Sequence, residues 1–130
     1  MSDIKTVLKM IEEEDVAYVD IRFTDPRGRL QHVTVVNDLV DEDFLEEGFM
    51  FDGSSIAGWK SIEQSDMKLM PDCSTAYIDP FYAEKTLCLH CNVLEPDTNE
   101  PYSRDPRGVA VKADAYLKST GIGDTAYFGP

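Results

Sequence analysis

The feature that most constrains the fold is a pair of extended segments separated by a tight-turn sequence. In residues 17–23, apolar side chains alternate with polar ones, and residues 30–36 follow as a second candidate strand; a period of two is typical of a half-buried strand. Between them, Asp25-Pro26-Arg27-Gly28 has Asp, Pro and Gly at the positions that a type I turn favours. The sequence therefore predicts a β-hairpin near the N-terminus.

Helices are predicted on both sides of this hairpin. The first has apolar residues at helical spacing, namely Ile4, Val7, Leu8 and Ile11. The second is expected to start with Asn37 or Asp38 as its cap and to end at Gly48. Its predicted inward face consists of Leu39, Val40, Phe44 and Leu45.

Three further short strands are predicted at residues 67–69, 76–78 and 87–94, separated by turns at Pro71-Asp72 and Asp79-Pro80. The order of helix, hairpin, helix, loop and strands fits a small α+β fold, and a β-grasp-like mixed sheet with packed helices is the arrangement we expect. A turn-rich stretch at 97–101 predicts a domain boundary, which gives an N-terminal domain over 1–100 and the beginning of a second domain over 101–130.

The second domain is predicted to open with a helix over 106–120, capped by Asp105, with Pro106 at its first position and Gly121 after its end. Its apolar face would consist of Val109, Ala113, Tyr116 and Leu117. Residues 125–130 begin like a strand. This helix and strand have little sheet to pack on within 130 residues, so we expect the second domain to be truncated.

The charge balance excludes some functions. With 25 acidic and 12 basic residues, the net charge is −13, which argues against nucleic-acid binding because phosphate contacts need Lys and Arg. No apolar run approaches the roughly 20 residues of a membrane span. The N-terminus lacks the basic start and apolar run of a secretory signal. We therefore expect a cytoplasmic protein without a nucleic-acid or membrane partner.

The cysteine and histidine residues do not form a recognisable metal or redox motif. Cys88-Leu-His-Cys91 has C-x-x-C spacing, but residues three apart in a strand point to opposite faces. We therefore predict reduced, partly buried thiols. His32 and His90 fall in strand patterns without ligand partners at usable spacing, so ordinary strand histidines and no metal site are expected.

The segment from Phe49 to Trp59 places the turn Asp52-Gly53-Ser54-Ser55 between bulky apolar residues. One interpretation is a carboxylate in a half-apolar frame, able to bind a metal ion, an ammonium ion or the donors of another chain. The other is a plain Asp-Gly turn with a serine as helix cap. The chemistry of these residues alone leaves both open.

Longer motifs identify a resemblance. Residues 51–55, Phe-Asp-Gly-Ser-Ser, are followed after eight residues by Gln-Ser-Asp-Met-Lys-Leu at 64–69. Together they resemble the N-terminal motif of bacterial type I glutamine synthetases. Further segments match that family in order and spacing: Phe23-Thr24-Asp25, Gln31-His32-Val33-Thr34, Leu69-Met70-Pro71-Asp72, Arg104-Asp105-Pro106-Arg107 and Phe128-Gly129-Pro130.

The resemblance implies a β-grasp domain followed by the start of a catalytic domain. The family joins ammonia to glutamate with ATP through γ-glutamyl phosphate, at sites between subunits of a homo-oligomer, typically a dodecamer. Asp52 would help to bind and deprotonate ammonium, with Ser55 in the nearby loop. ATP and the Mg²⁺ or Mn²⁺ ions would bind beyond residue 130, so the chain alone is expected to bind none of them specifically and to be inactive.

Two alternatives remain open at this point. The chain could be a free-standing β-grasp module that binds a partner through a sheet edge. It could also be an acidic cation-binding protein that uses Asp52 and the acids at 38–47. Trp59 could cover the loop or pack at a subunit contact, and a structural lid is the role predicted for it. Asp66 could contact a neighbouring subunit, and a solvated or capping acid is the role predicted for it.

Overall fold

A five-stranded mixed sheet forms the centre of the chain in the computed structural model, which describes residues 3–59 and 65–129. The helices are α1 (Asp3–Glu13), α2 (Glu42–Glu47) and α3 (Pro106–Thr120), and the strands are β1 (Tyr18–Thr24), β2 (Leu30–Val36), β3 (Phe49–Asp52), β4 (Asp66–Ile78) and β5 (Thr86–Leu94). The strand order is β2-β1-β5-β4-β3. β1 and β5 are parallel, and the other neighbours are antiparallel. The predicted α+β class and the β1–β2 hairpin are confirmed.

The hydrophobic core lies between the sheet and the first two helices. Alternate residues of the two central strands are fully buried, among them Val19 and Ile21 on β1 and Leu87 and Leu89 on β5. α1 and α2 pack against each other and against β4, and α1 contributes Val7 to the core. The helical spacing in the sequence therefore located the buried face of α1 correctly.

The opposite side of β1 carries a buried polar network, which the sequence did not reveal. Asp20 was expected on a solvent-facing side of a half-buried strand, but it is completely buried. Its carboxylate accepts hydrogen bonds from Arg22 Nε at 2.8 Å and Thr34 Oγ1 at 2.8 Å, and it lies 2.6 Å from His32 Nδ1. Burial alone would raise the pKa of Asp20, but these partners lower it. Side chains of β2 and β4 cover this face of β1, and they include His32, Thr34 and Tyr77.

The second helix starts later than predicted. Residues Asn37–Leu39 form a separate 3₁₀ turn, and α2 is capped by Asp41, whose side chain accepts from the backbone N–H of Phe44 at 2.8 Å. Leu39 was predicted to face inward but is 58% exposed. Gly48 ends the helix as expected, with φ of +84°.

The predicted turn at Pro71-Asp72 is wrong, because β4 continues through it as one strand of 13 residues. Pro71 pairs with Cys91 of β5. On its other side, β3 pairs with β4 only as far as Leu69. Pro71 therefore lies where β4 has become an edge strand, which is the part of a sheet where proline is tolerated. The register shifts between Asp72 and Tyr77, which is typical of a bulge.

The C-terminal helix matches its prediction, whereas the strand after it does not. Asp105 caps α3 by accepting from Arg107 N at 3.1 Å, and Gly121 ends it in the left-handed conformation. The predicted strand at 125–130 is wrong over 125–129, which form no strand; Pro130 lies outside the described residues, as does Gln64 of the longer motif. Over 3–59 and 65–129, no helix combines the length and apolar character that crossing a bilayer requires.

Candidate functional site

Asp52 ends the edge strand β3, and its side chain is exposed. Its neighbour Gly53 begins a 3₁₀ turn and donates its N–H to the carbonyl of Ser65 at 2.7 Å. Gly53 is buried against Met67 of the neighbouring strand. The loop therefore leaves the sheet from a fixed point, and Asp52 lies at that point.

Ser54 holds the Asp52 carboxylate in place. Asp52 Oδ1 accepts from the Ser54 hydroxyl at 2.6 Å and from the Ser54 backbone N–H at 2.9 Å. These bonds lower the pKa of Asp52 from its usual value. The bond from the Ser54 hydroxyl contributes most, the bond from the Ser54 backbone N–H comes next, and Ser65 contributes less. The geometry is that of a capping aspartate, as the plain-turn interpretation predicts for this sequence. It also gives an exposed, oriented carboxylate that is ionised at neutral pH.

A second acidic residue lies beside Asp52. Asp66 is its register partner on β4 and is also exposed, as its predicted solvated role requires. Directly opposed residues of an antiparallel pair have Cβ atoms about 4.5–5.5 Å apart, and like charges there repel each other. The pair concentrates negative charge at one end of the sheet, which favours a cationic ligand.

The aromatic residues lie beneath the loop and not around the carboxylate, so the expected half-apolar frame is wrong in this respect. Phe51 points to the opposite side of β3 from Asp52, with its ring 5.2 Å from that of Phe23. Trp59 is 6% exposed and packs on Phe23, Phe51 and Tyr102 at 5.5, 6.1 and 5.6 Å. Trp59 is therefore part of the hydrophobic core; its predicted role as a lid stays a prediction.

Arg104 contacts Gly58 and Trp59, the last two described residues of the loop that follows Asp52, and we call these two residues the far end of the loop. The position of Arg104 in the sequence did not suggest this contact. Its Nη1 donates to the carbonyl of Gly58 at 2.6 Å and approaches that of Trp59 at 3.4 Å. Gly58 has φ of +86°, a conformation that favours glycine. The sequence signals were its place in the segment Arg104-Asp105-Pro106-Arg107 that resembles the family and its position just before a predicted helix, and neither identifies a partner.

Ser55, the other predicted site residue, is exposed at the last position of the 3₁₀ turn. The hydrogen bonds to Asp52 come from Ser54 instead, so the structure brings Ser55 into the same loop without a direct role in orienting the carboxylate. A substrate-binding role for Ser55 stays a prediction.

The C-x-x-C cysteines have no shared ligand. Cys88 and Cys91 are both free and buried on β5. Cys91 belongs to the hydrophobic core, whereas the Cys88 thiol faces Asp79 at 3.9 Å. Burial raises the pKa of Cys88 to about 11 and also raises that of Cys91. The prediction that the two side chains point to opposite strand faces is confirmed, and both are more buried than expected.

Among the residues that the structure describes, no group of three or more His, Cys, Asp or Glu side chains is placed to hold a metal ion. His32 instead belongs to the Asp20 network, and His90 stacks on Tyr77 with ring centroids 6.5 Å apart. Burial lowers the pKa of His90. The acidic stretch at 38–47 provides the Asp41 cap of α2.

Comparisons with known proteins agree with this architecture. The family model described as the β-grasp domain of glutamine synthetase matches residues 15–96. Glutamine synthetases from Cereibacter sphaeroides and Rhodobacter capsulatus are 77% and 74% identical over all 130 residues, which make up 28% and 30% of those proteins. A cryo-EM structure of Plasmodium falciparum glutamine synthetase matches 95% of this chain and 24% of its own, with 26% identity and a TM-score of 0.84. The chain thus spans less than a third of the length of these relatives.

Proposed function

The chain belongs to the glutamine synthetase family, and we propose that it is the portion of a glutamate–ammonia ligase that presents Asp52 to ammonium. The chain corresponds to the N-terminal region of its relatives, including their β-grasp domain. The observation that carries the proposal is the Asp52 carboxylate, which is exposed at the end of β3 and oriented by Ser54.

The reaction requires an anionic group near the nitrogen nucleophile. Ammonium has no lone pair, so it must lose a proton before it can attack γ-glutamyl phosphate. An oriented carboxylate binds the cation and accepts or relays its proton. The lowered pKa of Asp52 favours the binding role in the isolated chain, because such a weak base takes up few protons at pH 7.

The proposed site is completed by a neighbouring subunit. Asp52 and Asp66 both face outwards, so a second copy can cover them and displace water. Desolvation would strengthen the attraction of Asp52 for ammonium and raise its pKa towards that of a useful base. This arrangement needs a homo-oligomer in which glutamate and ATP bind mainly to the catalytic domain of the adjacent copy.

The described residues do not fit a metal site, so no step here depends on a metal held by this chain. We propose that ATP and divalent ions bind to the remainder of the longer protein, and that the chain alone forms no glutamine. We also propose that the second domain begins at residue 101. In support, α3 leaves apolar side chains such as Val109 and Tyr116 59% and 73% exposed.

The test uses the full-length enzyme that contains this chain, with Asp52→Asn and Asp52→Ala. Loss of an oriented acid–base group typically costs 10²–10⁴-fold in rate, so kcat/KM for ammonium should fall by about 10²-fold or more. The KM for ATP should change by less than about twofold, because the variants remove a group that interacts with ammonium and not with ATP. Asp43→Asn on α2 is the matched control, since it removes the same charge from an exposed position. Unchanged ammonium kinetics in both Asp52 variants would refute the role.

A further inference from the structure

Arg104 is fixed between two buried residues. On one side, Tyr102 is 7% exposed, donates its N–H to the Val93 carbonyl at 2.9 Å and packs against Trp59. On the other side, Asp105 is 1% exposed, and its carboxylate accepts from Val93 N at 2.9 Å as well as from the start of α3. The backbone that carries Arg104 is therefore attached to β5 on both sides.

The Arg104 side chain extends from this fixed base to the loop. It donates to the carbonyls of Gly58 and Trp59, the last two described residues before position 65. A charged donor makes stronger hydrogen bonds to carbonyl oxygens than a neutral one. These bonds join the start of α3 to the far end of the Asp52 loop.

The connection reaches Asp52 through the aromatic cluster. Trp59 packs edge-on against Phe51, the residue next to Asp52, with ring centroids 6.1 Å apart. Trp59 also packs against Tyr102 from the same segment as Arg104. Its buried Nε1 has no acceptor among the residues that the structure describes, so ring packing and the Arg104 bonds fix its position.

We propose that Arg104 is a positioning residue for ammonium use: it fixes the far end of the Asp52 loop without touching the substrate. This inference rests on the proposed function of Asp52. Without the Arg104 bonds, the loop and Trp59 sample other positions, and the fraction of molecules with a correctly placed carboxylate falls. The apparent affinity for ammonium falls by the same fraction.

The experiment compares Arg104→Gln and Arg104→Lys in the full-length enzyme. We expect Arg104→Gln to raise the KM for ammonium about tenfold, which corresponds to about a tenfold fall in the fraction of molecules with a correctly placed carboxylate. The kcat at saturating ammonium and the KM values for ATP and glutamate should change little. Arg104→Lys keeps the charge and one donor, so it should recover part of the affinity.

Arg107→Gln is the matched control. Arg107 lies three residues after Arg104, in the first turn of α3, and is paired with Asp72 and hydrogen-bonded to Asn92 at 2.8 Å, so its loss disturbs the same helix start away from the loop. It should lower the thermal midpoint without changing the ammonium KM. Amide exchange at 53–59 should become faster in Arg104→Gln and stay unchanged in Arg107→Gln. If the Arg104→Gln enzyme does not assemble, the same measurements are made on Arg104→Lys. A raised KM for ammonium and faster amide exchange at 53–59 in that variant would support the positioning role, and unchanged values would overturn it.

The outcomes separate the two proposals. If Asp52→Asn leaves ammonium kinetics unchanged, the function proposed for Asp52 is wrong. If Asp52→Asn impairs ammonium use but Arg104→Gln does not, only the positioning role is wrong. Equal losses for ammonium, ATP and glutamate in Arg104→Gln would also overturn it, since they indicate general damage. In the double variant, Arg104→Gln should add little to the effect of Asp52→Asn, as expected for residues that act together.

Discussion

Replacing Gly53 with alanine tests how tightly the Asp52 loop is fixed to the sheet. An added Cβ would overlap Met67 Sδ, lie 2.6 Å from Met67 Cγ and lie 3.1 Å from the Ser65 carbonyl oxygen. Comfortable contacts between such atoms are about 3.5–4.0 Å. Gly53 has no positive φ, so the conflict arises from packing and not from backbone strain.

The cost follows from what Met67 can do. Its side chain is completely buried on β4, opposite Phe51, and must move by about 1 Å to accept the new methyl group. Inserting a methyl group into a well-packed site typically costs 1–3 kcal/mol. We therefore expect Gly53→Ala to lower the free energy of unfolding by about 2 kcal/mol. With a typical urea m-value of about 2 kcal/mol per M, the midpoint of urea unfolding should fall by about 1 M.

Urea unfolding of the 130-residue chain, followed by circular dichroism, measures this change. Gly123→Ala is the control, because its Cβ would meet only Leu117 Cδ1 at an ordinary 3.5 Å; it should shift stability by less than about 0.5 kcal/mol. In a Met67→Ala background, Gly53→Ala should cost about 1–2 kcal/mol less, because the space is vacated. Equal costs in both backgrounds would refute the packing argument.

Two further predictions concern the polar network and the thiols. Asp20→Asn should destabilise the chain by about 1–3 kcal/mol at pH 7, since it weakens the buried hydrogen bonds from Arg22 and Thr34 while Arg22 keeps its ion pair with Asp79. Because the folded-state pKa of Asp20 is lowered, its stabilisation is present above the unfolded value of about 3.9 and is lost as the pH falls through the folded value. Unfolding free energies below pH 4 should therefore depend less on pH in Asp20→Asn, and an unchanged acid profile would contradict the network. Burial raises the pKa of all three thiols, but Cys73 is partly exposed, so iodoacetamide should modify it well before the buried Cys88 and Cys91. A Cys88–Cys91 disulfide in the native chain, detected by mass spectrometry, would contradict their opposite orientation.

Local sequence signals predicted the elements whose structure depends on nearby residues. The β1–β2 hairpin, α1 and α3 were recovered because turn chemistry, helical spacing and capping are local properties. The turn predicted at Pro71 was wrong because tolerance of proline depends on where β3 stops pairing with β4. Strand β3 was interpreted as part of a loop, since four residues show too little alternation to identify a strand.

In the candidate site too, local contacts could be predicted from the sequence and contacts between distant residues could not. Asp52 was found through its motif and the resemblance that the motif supports, and the Asp52–Ser54 contact is short in sequence. Arg104 lies 46 positions after Gly58, so its contact depends on the tertiary fold. The burial of Asp20 likewise depends on β5 and on the end of β4, which are distant in sequence. Single-sequence patterns contain no information about such pairings.

The parallel pairing of β1 with β5 also limits the order in which the chain can fold on the ribosome. Tyr18 pairs with Thr86, so β1 must wait for a strand that is synthesised roughly 70 residues later. At bacterial translation rates of about 5–20 residues per second, that interval lasts about 3–14 s, whereas a hairpin closes in about 1–10 μs. The β1–β2 hairpin can therefore form early, and its inner edge then stays unpaired for seconds, a period in which that edge is open to pairing with another chain.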